Sequence, residues 1–196
     1  MTGLRADPAI LVLAAGASSR MRGADKLLEE IDGVPLLLRA VRAACEVSNE
    51  TIVALPPAGP RRALLQDCPA KLVEVSERAM SASIRAGVTA CGSDALMIHL
   101  ADMPEIGAAE MATVAQAWRR ANGPTLRATS DEGRPGQPVV FDRALFPALA
   151  ALAGDDGARG VLRAHPPDLV RLPGRRALVD LDTPEEWAAW RVARTA

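Results

Sequence analysis

Arg20 and Lys26 sit in "ILVLAAGASSRMRGADKLL", residues 10–28, where an apolar run passes through small residues directly into cations. Ala14, Ala15 and Gly16 leave backbone N–H groups open to a ligand, and Ser18 and Ser19 add hydroxyl donors. Arginine meets phosphate oxygens as a fork and lysine as a point charge. Such a loop suits the holding of a polyanion. It is not a P-loop, since no Gly-Lys-Ser/Thr follows, and it is not GxGxxG. A solvent-facing loop with ordinary cations is the alternative reading of the same composition.

Three carboxylates add to these cations. Asp102 lies in "HLADMPEI", residues 99–106, just after an apolar run. A carboxylate beside bound phosphates repels them unless a hard cation lies between, and Mg²⁺ with oxygen ligands meets that need. Asp102 reads equally as the cap of a helix beginning near Gly107. In "LVDLDTPEEW", residues 178–187, Asp180 and Asp182 alternate around Leu181, so a strand there turns both to one side. Thr183-Pro184-Glu185-Glu186 then reads as a helix start, with acids in its first turn. His99, inside an apolar strand, is expected to be a hydrogen-bonded core residue, and His165 stands in a turn before Pro166-Pro167. A hydrolytic zinc site needs more His, Cys or suitably spaced carboxylates than this.

The elements that position these groups alternate along the chain. Strands are predicted at Ile10–Ala14, 51–55, 71–75 and 95–100, in "PTLRAT", "PVVF" and "DLVRL", and in "ALVDLD" (177–182). Between them, helical patterns run through Leu37, Ala40, Val41, Ala44 and Cys45, then 60–68, 81–92, 108–121, "RALFPALAAL", 154–165 and from Thr183 through Trp190. Asp32-Gly33 marks a tight turn, with Pro35 suited to the first turn of a helix. "SDEGRPGQ", 130–137, reads as a polar loop. The expectation is a three-layer, Rossmann-like α/β fold with a mostly parallel central sheet, in one domain spanning 1–196. Ligands gather at the carboxyl ends of strands in such folds, where the three loops above fall.

Composition narrows the function. Over 196 residues, 49% hydrophobic and 24% charged residues are an ordinary globular balance, and a net charge of -1 argues against nucleic-acid binding through a general basic field. Aromatics at 3% with no Tyr argue against a base-stacking surface. Cys45, Cys68 and Cys91 form no CxxC pair and read as packed thiols of a reducing compartment. "MTGLRADP" does not read as a signal peptide, and no apolar run is long enough for a membrane, so a cytoplasmic protein is expected.

Taken together, "LAAGASSRMRGADKLL" is similar to the signature loop LAAGxSxRMGxxK of the MobA-like nucleotidyltransferases, "LADMP" resembles their LxGDMP metal motif, and "DLDTPEEW" resembles their closing element. "GQPVVF" with "LAALAGDDGARGVL" resembles the branch that transfers cytidylyl to the molybdenum cofactor. The resemblance implies transfer of CMP from CTP to the terminal phosphate of molybdopterin, with pyrophosphate released. It further implies Leu13, Ala14, Ala15 and Gly16 along the nucleotide, with Ser18, Ser81 and Ser83 near it. Arg20 would hold the triphosphate, Lys26 would sit at the α-phosphate, and Asp102 and Asp182 would hold Mg²⁺ (or Mn²⁺). Gly136, Gln137 and Pro138 would face the pterin, and a molybdoenzyme or its chaperone would receive the product. The near alternatives are guanylyl transfer from GTP, which "LAAG" rather than "LAGG" disfavours, and nucleotidyl transfer to a sugar phosphate or lactyl phosphate by another member of the superfamily; a non-catalytic cofactor carrier is the alternative of another class. Two departures stand out. Arg22 lengthens the signature loop by one residue, so a bulge is expected there, and Ala101 replaces the usual Gly before Asp102.

Overall fold

The computed structural model describes residues 5–77, 79–155 and 157–195; Met1–Leu4 of the opening stretch and Asp156 of "GDDGAR" lie outside the described residues. Strand β1 (Ala9–Leu13) leads through the signature loop to a hairpin, β2 (Glu30–Ile31) and β3 (Val34–Pro35). Its two-residue turn has φ of 53° at Asp32 and 76° at Gly33, the left-handed pair that a tight hairpin requires. Then follow α1 (Leu36–Val47), β4 (Thr51–Leu55), α2 (Pro60–Leu64), β5 (Lys71–Glu74), α3 (Met80–Ala90) and β6 (Ala95–Leu100). The second half comprises α4 (Ala108–Trp118), β7 (Thr125–Thr129), β8 (Pro135–Asp142), α5 (Phe146–Ala150), α6 (Arg159–Ala164), β9 (Asp168–Arg171) and α7 (Pro184–Thr195).

Seven strands form one sheet in the order β5-β4-β1-β6-β8-β7-β9. Only β8 runs against the others. The central strands are buried on both faces, which is why they read as unbroken apolar runs. Ile10 and Val12 pack with α1, α4 and α7, while Ala9 and Leu11 pack with α3, α5 and α6. That alternation makes three layers. A Cβ at Gly87 would lie 2.2 Å from Leu11 Cδ2, so the absence of a side chain sets how closely α3 sits on β1. Trp118 and Trp187 are core residues, each 1% exposed, and no described helix is long and apolar enough to cross a membrane. Cys45, Cys68 and Cys91 are free thiols, and burial pushes Cys68 and Cys91 up.

Four sequence expectations are corrected. Pro35 is not in the first turn of α1; it closes β3 and stands immediately before the helix. "ALVDLD" is not a strand: Arg176–Leu178 is a 3-10 turn, and residues 179–182 cross the rim of the sheet instead. Leu181 anchors that crossing, buried, with its N–H donating to the Asp102 carbonyl at 3.1 Å. The loop predicted at 130–137 is shorter, because β8 already begins at Pro135 and takes in Gly136, Gln137 and Pro138. A Cβ on Gly136 would lie 1.9 Å from the Ala177 carbonyl oxygen, so a bare backbone is what lets β8 pass under the rim segment. Finally, His99 is a core residue but not a hydrogen-bonded one: it is fully buried and neither ring nitrogen has a partner. Burial alone pushes its pKa down to about 3, so it is neutral.

Candidate active site

Leu13 and Leu100, the last residues of β1 and β6, are paired across the sheet. The strand order reverses between them, since the chain runs from β1 out to β4 and β5 before α3 returns it to β6 on the other side. Such a reversal leaves a crevice beyond the carboxyl ends of the strands. A cavity of about 300 Å³ occupies it, lined by Leu13, Ala15, Gly16, Lys26, Ser83 and Asp102. Ala79, Met80 and Asp155 line it as well, Asp155 coming from the "GDDGAR" motif.

One ion cluster closes the mouth. Lys26 Nζ donates to Asp102 Oδ2 at 2.5 Å and to Asp182 Oδ1 at 2.5 Å. Arg20 lies 2.6 Å from Asp182 Oδ2, from the solvent side. The Lys26, Asp102 and Asp182 side chains are 13%, 18% and 16% exposed, whereas Arg20 is 67% exposed. Burial works against the Lys26 ammonium, but the two carboxylates outweigh it and hold its pKa above the usual lysine value. Asp180 stands outside this cluster, its carboxyl pushed up by burial and then by the charges of Asp102 and Asp182. The helix at 108 does not use Asp102 as a cap. Glu110 performs that task, accepting from the Gly107 N–H at 3.0 Å.

The carboxylate pair fits a divalent cation of the Mg²⁺ kind. Both groups reach one ammonium, so their oxygens converge on one small volume, and Asp102 Oδ1 is buried with no hydrogen-bond partner. Among the described residues no cluster of three or more His, Cys, Asp or Glu surrounds a metal position. Two carboxylates completed by phosphate oxygens and water is how Mg²⁺ is usually held.

The remaining predicted residues fall in three groups. Ala14 is buried below the cavity floor, and Ser81 is buried with its hydroxyl accepting from Arg85 at 3.1 Å. Ser18 turns into its own loop, donating to Asp25 Oδ1 at 3.1 Å and accepting from the Lys26 N–H at 3.2 Å. The bulge expected at Arg22 is present: Ser19–Met21 is a 3-10 turn and Arg22 and Gly23 have φ of 52° and 98°. The Arg22 side chain leaves the cavity and meets Glu185 of α7 at 2.5 Å. Ala101 has no positive φ, so replacing the usual Gly introduces no strain there.

On the far side of Leu13, Met80 and Leu100 lies a second cavity of about 180 Å³, which shares those three residues with the first. Gln137 lines it, with Oε1 buried and unpartnered. Arg127 and Arg159 line it too. Burial and then the charge of Arg159 push the Arg127 pKa down, and among the described residues neither arginine forms an ion pair. Gly136 and Pro138 are buried in β8 instead. The signal for Arg159 lay in the "GDDGAR" motif, whereas nothing near Arg127 distinguished it from any strand arginine.

Residues 10–169 match the family model described as MobA-like NTP transferase domain. The chain is 26% identical over 196 residues to a protein of Synechococcus elongatus called "Probable molybdenum cofactor guanylyltransferase", covering 94% of this chain and 98% of the other. Its fold is similar to the crystal structure of Rv0371c from Mycobacterium tuberculosis H37Rv, with a TM-score of 0.79, 25% identity, and 94% and 98% of the two chains covered. It is similar also to that protein's complex with manganese, with a TM-score of 0.78, 22% identity, and 97% and 100% covered.

Proposed function

The chain belongs to the MobA-like NTP transferase domain family, and on that premise we propose that its one domain transfers a nucleotidyl group from a nucleoside triphosphate to the terminal phosphate of molybdopterin. A phosphate oxygen of the acceptor attacks the α-phosphorus, the bond from that phosphorus to the bridging oxygen breaks, and pyrophosphate leaves. The observation that carries this reading is the ammonium of Lys26 held between Asp102 and Asp182 at the mouth of the cavity. A cofactor carrier has no use for that cluster.

A phosphomonoester is already a nucleophile near neutral pH, so no general base is needed, and the buried neutral His99 supplies none. The work left to the chain is positioning and charge neutralisation. Leu13, Ala15 and Gly16 bind base and ribose, with Ser83 on the opposite wall. Lys26 neutralises the α-phosphate and Arg20 the leaving pyrophosphate. Asp102 and Asp182 would hold Mg²⁺, which neutralises triphosphate charge when bound; the manganese complex of the M. tuberculosis relative supports a divalent metal of this class. The second cavity, with Arg127, Arg159 and Gln137, takes the acceptor.

The base has two readings. Ala15 lines the cavity where a glycine would leave more room, which favours cytosine over a purine. The name of the Synechococcus relative favours guanine. Thermal denaturation with each of the four nucleoside triphosphates, with and without Mg²⁺, tests the proposal, because a ligand of the folded state raises the midpoint by mass action. A shift with CTP or GTP that needs Mg²⁺ and vanishes in Asp102→Ala is expected, and which nucleotide gives it assigns the base. No shift with any of the four refutes the reading.

A further inference from the structure

The opening loop is held in shape by an arginine that lies in none of the motifs. Arg61, near the start of α2, is buried, 7% exposed, and spends its whole guanidinium on residues 14–25. Nε and Nη2 grip the two Asp25 oxygens, each at 2.7 Å. Nη1 donates to the carbonyl oxygens of Ala14 at 2.6 Å and Gly16 at 2.8 Å, and Nη2 also reaches Ser18 Oγ at 3.1 Å. All five N–H donors of the group are thereby used. Burial raises the Asp25 carboxyl, but hydrogen bonds and charge from Arg61, then bonds from Leu27 N–H and Ser18, leave its pKa lowered.

This arrangement does two things that bear on a polyanion. A carbonyl oxygen facing a phosphate repels it, and Arg61, which does not line the cavity, engages two such oxygens, those of Ala14 and Gly16. Through Ser18, whose oxygen accepts both from Arg61 and from the Lys26 N–H, it also fixes the backbone that carries Lys26. The two arms of the loop, 14–18 and 25–26, are therefore set by one planar group before any ligand arrives. Lysine cannot replace it, having three donors on a compact head.

We propose that Arg61 is a positioning residue for nucleotidyl transfer, pre-organising the loop that receives the triphosphate without touching it. The inference rests on the reading of the cavity as a nucleotide site. Its test is Arg61→Met, compared with the wild type by urea denaturation, by calorimetric titration with the Mg²⁺ complex of whichever triphosphate the wild type binds, and by amide exchange across 14–27. Expected are a folded variant, faster exchange confined to that loop, and affinity weaker by about tenfold or more, the range typical when a supporting partner is lost. Arg61→Ala should regain affinity with low millimolar guanidinium, which refills the vacated position; a merely structural role would lower the urea midpoint and leave the affinity of the folded variant unchanged. Should Arg61→Met fail to fold, Arg61→Lys and Asp25→Asn carry the same measurements. Unchanged affinity in a folded variant overturns the inference alone. A wild type that binds no triphosphate overturns the nucleotide reading and the inference with it.

Discussion

Removing the ammonium at the mouth of the cavity leaves Asp102 without its cation and Asp182 with Arg20 alone. Lys26→Met keeps most of the stem and deletes the charge 2.5 Å from both Asp102 and Asp182. Two charges 4 Å apart attract by about 4 kcal/mol at an effective dielectric of 20, most of it consumed by desolvation. Truncating one partner of a buried pair costs about 3–5 kcal/mol because the other charge is stranded. Side chains 13–18% exposed place this cluster at the lower end, about 3 kcal/mol, which for a chain of this size lowers the melting temperature by roughly 6–12 °C. The Lys26 pKa is raised, so its contribution is complete below the unfolded lysine value of about 10.4 and fades only as pH climbs through the higher folded value. The deficit of the variant is therefore flat from neutral pH to about 10. Divalent cation should repair it: Mn²⁺ raises the variant's melting temperature more than the wild type's, because no ammonium has to be displaced. Lys26→Met with Asp102→Asn loses less than the two singles together. Nucleotide-free melting curves with and without Mn²⁺ decide the matter. Equal Mn²⁺ shifts in wild type and variant would refute the reasoning.

Ala15→Gly widens the base side of the cavity and should raise the ratio of GTP to CTP affinity; an unchanged ratio by calorimetry removes the steric argument. Gly136→Ala drives a Cβ to 1.9 Å from the Ala177 carbonyl and should destabilise the chain by about 3 kcal/mol in urea. Stability equal to wild type there would mean that the glycine is not needed for packing. His99 is neutral and buried, with its pKa down at about 3, so the unfolded chain binds a proton there first as pH falls. Stability should drop by about 1.4 kcal/mol per pH unit below about 6.5 on this account, and His99→Leu should remove that part of the acid slope.

What the sequence made legible was governed by local pattern. Thr51–Leu55 and Ala95–Leu100 are strands at their predicted boundaries, because a buried parallel strand must be apolar throughout and both are bounded by turn residues. "ALVDLD" carries the same alternation, yet forms no strand: β9 and β7 already fill that side of the sheet, and the Asp102 carbonyl takes the Leu181 N–H that a ladder would have used. No window of sequence contains that competition. Lys26, Asp102 and Asp182 were each marked by their motifs, but their joining spans 76 and 156 residues and follows only from the strand reversal at β1 and β6. Arg61 left no trace in "PRRALLQDC", where it looks like either of two helix-surface arginines. Its neighbour Arg62 is one, 42% exposed and paired with Glu74.

On the proposed reading, the charges at the cavity mouth account for how a chain of net charge -1 favours a polyanion without a basic surface. Arg20 and Lys26 against Asp102 and Asp182 sum to zero, so in the free protein each cation is already occupied by a carboxylate. A triphosphate arriving alone must break those pairs and face the carboxylates it exposes. A divalent cation arriving alone must displace the Lys26 ammonium. Arriving together, the cation takes the carboxylates while the triphosphate takes Arg20 and Lys26, and no charge is stranded at any point in the exchange. On the proposed reading, discrimination against bare phosphates and nucleic acid thus comes from the pairing itself, and each ligand strengthens the other's binding by the same factor.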